Sequence, residues 1–272
     1  MKLMEVRVCV LRVGGTNCDA ETVRAFQKSG MKAEVVHFNQ LTKRRNLLDY
    51  HVLVIPGGFS HGDYVRAGAI WAKRLMAKLG EEVETFVDEG RPILGICNGF
   101  QVLVEAGMLP QFDGISQFPD AALGPNIPPG YSCRWVSLRH ENKGSCVFTR
   151  GVSNGAVLRI PVAHSEGRFL FKKESEEKSY EKLIENDQLV FRYCRQGGEY
   201  AEGEYPSNPN GSLHDVAGIC DPSGTVFGLM PHPERAYFGW QLPDWTKNEA
   251  PTDFSDGRLI FESIAKHLTK EL

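Results

Sequence analysis

The sequence lacks the features that would mark a disulfide scaffold, a metal protein or a membrane protein. Seven cysteines in 272 residues are too few and too irregularly placed for a disulfide framework. No Cys-x-x-Cys pair is present to suggest zinc or dithiol chemistry. Neither sign of charge is in excess: 31 Lys and Arg against 34 Asp and Glu give a net −3, which argues against nucleic-acid binding through bulk positive charge. No apolar run approaches the roughly 20 residues of a membrane-spanning helix. The opening stretch is interrupted by Glu5, Arg7 and Arg12, unlike a signal peptide. No Gly-x-x-x-x-Gly-Lys-[Ser/Thr] loop occurs, so ATP is not bound by that device. The expectation is a cytoplasmic chain with reduced thiols that binds neither nucleic acid nor membrane.

What is present is a regular alternation. Val6–Val13, Ala33–Phe38, His51–Ile55 and Pro92–Ile96 read as buried strands, several of them stopped by glycine or proline. Between and after them, Asp19–Ser29, Asp63–Gly80, Glu81–Glu89 and Asn98–Ala106 have helical spacing. Such alternation predicts an α/β fold with right-handed crossovers, its sheet mostly parallel and covered by helices on both faces. The second half is less regular. Ser132–Arg139, Ala156–Ala163, Gln188–Tyr193, Val216–Cys220 and Val226–Met230 read as further strands, and Arg258–Leu268 as an amphipathic helix. Lys172–Glu185 is densely charged and reads as a solvated helix or an insertion, and Gln196–Ser212 as a long loop. With no repeat or linker, residues 1–272 read as one domain, with possible insertions near 172–185 and 239–256.

Ligands gather at the carboxyl ends of strands in such sheets. The sharpest signal there is Gly95-Ile96-Cys97-Asn98-Gly99, the cysteine counterpart of the Gly-x-Ser-x-Gly nucleophile elbow. A thiol at a helix N-terminus is favoured as thiolate. The competing reading is a small buried hydrophobe, the usual fate of a free cysteine. Gln101 lies one helical turn further, within reach of the same mouth. For a base, Pro231-His232-Pro233-Glu234 follows a buried strand, and extended geometry puts His232 and Glu234 on one side. His164-Ser165-Glu166 has the same spacing, but a zinc deaminase would also need a Pro-Cys-x-x-Cys, which is absent. Gly57 and Gly58 close the third strand, and the backbone N–H groups of Gly58 and Asn98 are candidate oxyanion donors.

Together Gly57-Gly58, Gly95–Gln101 and Pro231–Glu234 resemble the three signatures of class I, triad-type glutamine amidotransferases. Gly15–Asp19, Pro56–Ser60 with Gly62-Asp63-Tyr64, Arg66–Ile70, Pro161–His164, Asn208–Ser212 and Gly228–Arg235 narrow the resemblance to the family of glutaminase subunits of phosphoribosylformylglycinamidine synthase. The resemblance implies a flavodoxin-like doubly wound domain that hydrolyses glutamine and passes ammonia to a separate synthetase subunit in purine biosynthesis. It further implies ATP and Mg in that partner, a small accessory subunit, and no cofactor or metal in this chain. Carried over by position, Cys97 is the nucleophile, His232 its base and Glu234 the orienting carboxylate. Gly58 and Asn98 form the oxyanion hole, and Gly57, Gln101, His164, Asn210 and Ser212 are expected to line the glutamine site. Two other readings compete. One is a peptidase-like cysteine hydrolase, which usually has histidine directly after the nucleophile, where this chain has Asn98. The other is a catalytically silent subunit.

Overall fold

The computed structural model describes residues 3–247 and 253–270. The first half alternates β1 (Arg7–Arg12), α1 (Asp19–Lys28), β2 (Lys32–His37), the short α2 (Phe38–Leu41), β3 (Val52–Ile55), α3 (Ala69–Asp88), β4 (Ile93–Ile96) and α4 (Asn98–Glu105). The second half adds β5 (Ala121–Gly124), β6 (Ser132–His140), β7 (Val157–His164), β8 (Arg168–Phe171), α5 (Glu176–Glu185), β9 (Leu189–Cys194), β10 (Val216–Cys220), β11 (Val226–Leu229) and α6 (Arg258–Lys270).

Nine strands form one sheet in the order β2-β1-β3-β4-β11-β10-β9-β6-β7. The first five run parallel, and β10, β9, β6 and β7 extend the sheet in antiparallel register. The chain steps from β1 to β2 on one side and from β3 to β4 on the other. Right-handed crossovers therefore put α1 and α3 on opposite faces. The parallel strands are apolar throughout: β3 reads Val-Leu-Val-Ile and every residue of β3, β4 and β11 is buried. That is the signature of strands covered on both faces. The antiparallel β7 instead alternates buried and part-exposed residues.

The helices bury one stripe each. Trp71, Ala72, Leu75, Leu79, Val83 and Phe86 face inward on α3. Phe26 of α1 meets Phe261 of α6 edge to face, with ring centroids 5.0 Å apart. The two helices expected at Asp63–Gly80 and Glu81–Glu89 are one helix starting at Ala69, kinked at Leu79. A 3-10 turn ends at Asp63 and Tyr64 to Gly68 stays outside α3, since the left-handed φ of His61, Asp63 and Val65 breaks any continuous α-helix. Two strands had no periodic signal: β5 and β8 pair only with each other, forty-odd residues apart. The charged stretch at 172–185 folds as α5 with Leu183 its one buried residue. Within 239–256, Asp244 pairs with Arg159 at 3.0 Å and the Asp256 carboxylate accepts the Arg159 N–H at 2.7 Å, while 248–252 lie outside the described residues.

Register brings the site together. Ile55 sits opposite Gly95, and Leu229 opposite Ile96, so β3, β4 and β11 end side by side. Gly228 lies under the Phe100 ring, where a Cβ would collide with that ring and with Leu109. Gly228→Ala is expected to cost about 1–3 kcal/mol through this overpacking, read as a lower urea midpoint with an unchanged denaturant slope.

Candidate active site

Cys97 occupies the turn between β4 and α4 with φ 51° and ψ −104°, a left-handed conformation rare for a residue with a side chain. Strain of this kind persists only where the surroundings enforce it. Here they are two glycines: a Cβ at Gly99 would fall on the Ile55 carbonyl, and one at Gly95 would meet Leu103 and the Gly99 carbonyl. Cys97 N–H donates to the Leu229 carbonyl at 2.8 Å, and its Sγ lies 3.6 Å from the Ala163 carbonyl of β7. The thiol is buried at the first turn of α4.

His232 enters from the other side. Its N–H donates to the Pro161 carbonyl at 2.8 Å, tying the segment after β11 to β7. Its Nδ1 lies 2.6 Å from Glu234 Oε1, and both side chains are almost fully buried. Its Nε2 is buried and has no hydrogen-bond partner among the described residues. Burial works to lower the imidazole pKa. The negative charges of Glu234 and Cys97, with the Cys18 sulfur beside Nδ1, overcome it and hold His232 well above its ordinary value. Gly57 makes room for the ring, since a Cβ there would lie 2.7 Å from His232 Cε1 and 3.1 Å from Cys18 Sγ.

Two backbone N–H groups, those of Asn98 and Gly58, have no hydrogen-bond acceptor among the described residues. Asn98 is the first residue of α4, where the helix leaves its leading amides without partners. Gly58 pairs with Thr16 through the bonds Asn17 N–H to Gly57 carbonyl and Phe59 N–H to Gly15 carbonyl, so its own N–H points away from that bridge. The Asn98 side chain is fixed: Oδ1 accepts from Ser60 N–H at 3.2 Å, and Nδ2 donates to Gln101 Oε1 at 2.8 Å and Asp63 Oδ1 at 3.2 Å. Gln101 in turn donates to the Glu166 carbonyl. Burial and the Glu166 charge push Asp63 up to about 6.

The fold and this geometry agree with what the chain is similar to. The family model described as "CobB/CobQ-like glutamine amidotransferase domain" matches residues 5–268. A chain named phosphoribosylformylglycinamidine synthase subunit PurQ from Archaeoglobus fulgidus is 46% identical over 276 residues, with 98% of each chain covered. One of the same name from Methanothrix thermoacetophila is 43% identical over 269 residues, covering 97% of this chain and 98% of that one. The chain belongs to the glutamine amidotransferase family, in its PurQ branch. The solved structure of PurLQS from Thermotoga maritima also contains a similar chain, 32% identical with a TM-score of 0.74, covering 97% of this chain and all of that one.

Three of the residues expected to line a glutamine site form a buried hydrogen-bonded cluster. His164, Asn210 and Ser212 are buried and spend their polar atoms on one another and on the backbone. His164 Nδ1 lies 3.2 Å from Asn126 Oδ1 and its Nε2 3.5 Å from Asn210 Nδ2, a set of partners that suits the neutral ring. Asn210 also donates to the Gly167 carbonyl and Tyr193 hydroxyl, while Ser212 Oγ donates to Asn210 Oδ1 and accepts from Phe169 N–H. In this structure the three side chains are thus bound mainly to one another and to the neighbouring backbone. Gln101 likewise uses both ends of its amide within the chain, although it stays at the mouth beside Asn98.

The residue-level reading missed Cys18 and Arg235. Cys18 Sγ lies 3.9 Å from His232 Nδ1 and 3.1 Å from Arg235 Nη2. The only signal for Cys18 was its place in Gly15–Asp19, just ahead of a helix. Donor atoms of Cys18, His232 and Glu234 fall within 4.8 Å of one another, as around a metal ion. The short His232–Glu234 hydrogen bond and the guanidinium on the sulfur already fill that position, so we assign no metal to it.

His164 supplies a stability test. Burial, then the nearby His232 charge, press its pKa down from 6.5 to about 3. The unfolded chain takes up this proton below pH 6.5 and the folded chain does not. The contribution is therefore present above 6.5 and is lost as the pH falls toward 3. Between pH 7 and pH 5 this amounts to about 2 kcal/mol. His164→Gln is expected to start less stable at pH 7 and to lose less over that range, by urea unfolding at each pH. Equal slopes for the two proteins would contradict the neutral buried assignment.

Proposed function

We propose that this chain hydrolyses glutamine to glutamate and ammonia through a thioester at Cys97, and that the ammonia passes to an ATP-dependent synthetase subunit making phosphoribosylformylglycinamidine. The observation that carries the reading is the buried His232–Glu234 pair, with one imidazole nitrogen left free toward the thiol of Cys97, the strained N-cap residue of α4. In this reading the Cys97 thiolate attacks the side-chain carboxamide carbon of glutamine. The N–H groups of Gly58 and Asn98 hold the oxygen as it becomes negative, each donor contributing roughly 3–4 kcal/mol to the transition state. His232, as imidazolium, gives its proton to the departing nitrogen, leaving ammonia and the thioester. It then takes a proton from water, which releases glutamate and the thiol. Glu234 keeps the ring oriented and its positive charge balanced. Gly57 and Gln101 shape the wall against which the glutamine chain lies.

Ammonia stays nucleophilic only if it leaves unprotonated, which calls for a covered exit into the partner. The similar chain in the PurLQS structure supports such a partner; a small accessory subunit, and ATP and Mg in the synthetase, belong to the same reading. We read residues 1–272 as one amidotransferase domain and the protein as cytoplasmic. No helix among the described residues is long and apolar enough to cross a membrane.

The test is mass spectrometry after exposure to an electrophilic glutamine analogue, paired with Cys97→Ala in the synthetase complex. One adduct on Cys97, suppressed by glutamine, is expected. The variant should lose glutamine-dependent synthesis and keep ammonia-dependent synthesis. Adducts spread over several cysteines, or equal glutamine-dependent rates, would overturn the reading. The pH profile carries its own expectation. Because His232 is held above 6.5, the alkaline limb of kcat/KM should lie well above that pH, where the imidazolium proton is finally lost.

A further inference from the structure

We infer that Cys18 is a positioning residue for the catalytic pair: with Glu21 it holds the Arg235 guanidinium off Glu234, leaving that carboxylate to His232 alone. The inference rests on the reaction proposed above and deepens it.

Arg235 follows Glu234 directly in the chain. A guanidinium beside a buried carboxylate ordinarily pairs with both of its oxygens. Here it does not. Glu234 Oε1 bonds His232 Nδ1 at 2.6 Å, and Oε2 is buried without any hydrogen-bond partner among the described residues. The guanidinium turns away instead: Nη2 reaches Cys18 Sγ at 3.1 Å, and Nε and Nη2 both reach Glu21 Oε1 at 3.3 Å. An unpaired buried carboxylate oxygen one residue from a five-donor fork needs something to keep the two apart.

Cys18 is built in firmly enough to do this. Its N–H donates to the Gly57 carbonyl at 3.1 Å, and its own carbonyl accepts from Thr22 Oγ1 at 2.5 Å and Thr22 N–H at 3.2 Å. The sulfur fills the space that Gly57 leaves open and lies against the Nδ1 edge of His232. Burial holds the thiol protonated, against the lowering effect of His232 and Arg235. A neutral thiol accepts weakly from the guanidinium, excludes water, and does not compete with Cys97 for the imidazole proton. An aspartate at this position would hold Arg235 more strongly but would add a second charge on His232.

The other groups bearing on His232 leave Arg235 as the movable charge. Cys97 faces it from the β4–α4 turn, Cys18 and Glu21 belong to the start of α1, and Glu234 is its own partner. His164 on β7 is neutral. Tyr131, ahead of β6, is largely exposed; partial desolvation and then the Cys97 charge raise it. If the guanidinium moved onto Glu234 Oε2, the carboxylate would hold the imidazolium less strongly.

The experiment measures kcat and KM for glutamine against pH in the complex with the synthetase, for wild type, Cys18→Ala, Cys18→Ser, Arg235→Gln, Glu21→Gln and the Cys18→Ala/Arg235→Gln pair. Cys18→Ala should lower kcat about ten-fold with KM little changed, and move the alkaline limb down by about one pH unit. Cys18→Ser, which keeps an acceptor, should restore most of the rate. Removing the charge in the double variant should return the limb to its wild-type place. Glu21→Gln releases the clamp at its more exposed end, so it should shift the limb the same way by less, and it serves where Cys18→Ala fails to fold. An unmoved limb in these variants, or a double variant no better than Cys18→Ala, would overturn the inference and reduce Cys18 to packing. A wild-type complex without glutamine-dependent turnover would instead remove the proposed reaction itself.

Discussion

Everything at the site depends on one hydrogen bond out of contact with water, His232 Nδ1 to Glu234 Oε1. Burying an imidazole and a carboxylate costs several kcal/mol per charge before their attraction is counted. The pair is maintained because each partner is the other's compensation. Removing either would leave an unpaired charge inside the protein. The surroundings then have two tasks, to keep water away from the pair and to aim the free nitrogen of His232 at one thiol. Gly57 does part of the first by leaving just enough space for the ring. The Pro161 carbonyl does part of the second by fixing the backbone of His232.

The two halves of the sheet divide this work. Parallel strands end together at one edge, so β3, β4 and β11 bring Gly58, Cys97 and the His232 segment to adjacent positions with no long loop between them. Those strands are apolar on both faces and present no polar side chain of their own near the thiol. The antiparallel half supplies the opposing wall. Its outermost strand, β7, takes the His232 N–H at Pro161 and the Cys97 thiol at Ala163. The polar cluster of His164, Asn126, Asn210 and Ser212 ties the end of β7 to the neighbouring segments.

How much of this was legible in the sequence follows from how local each signal is. The elbow was readable because its requirement is local: a strand, two glycines and a helix start within a few residues of Cys97. His232 and Glu234 were readable for the same reason, since a proline between them enforces the spacing. The scaffold around His164 was not, because its partners lie at 126, 167, 193 and 210 and meet only through tertiary packing. The β5–β8 pair escaped for a related reason, being two four-residue strands joined only to each other. The start of α3 was set too early because the left-handed residues at His61, Asp63 and Val65 carry side chains, and no glycine at those positions announced a turn.

The contrast between the two deeply buried histidines shows how partners rather than burial decide charge. His232 and His164 are both almost free of solvent, and burial acts on both in the same direction, against protonation. His232 has a carboxylate on one nitrogen and a thiol near the other, so the protonated ring wins. His164 has only amides, one accepting at Nδ1 and one donating at Nε2, which fit a neutral ring and leave no place for a second proton. The two rings also act on each other, the His232 charge helping to keep His164 neutral. A carboxylate in place of Asn126 or Asn210 would invite a second positive charge next to the first and weaken the hold of His232 on its proton. The amide cluster under β7 thus keeps the site to a single imidazolium, and it does so at a distance from the reacting atoms.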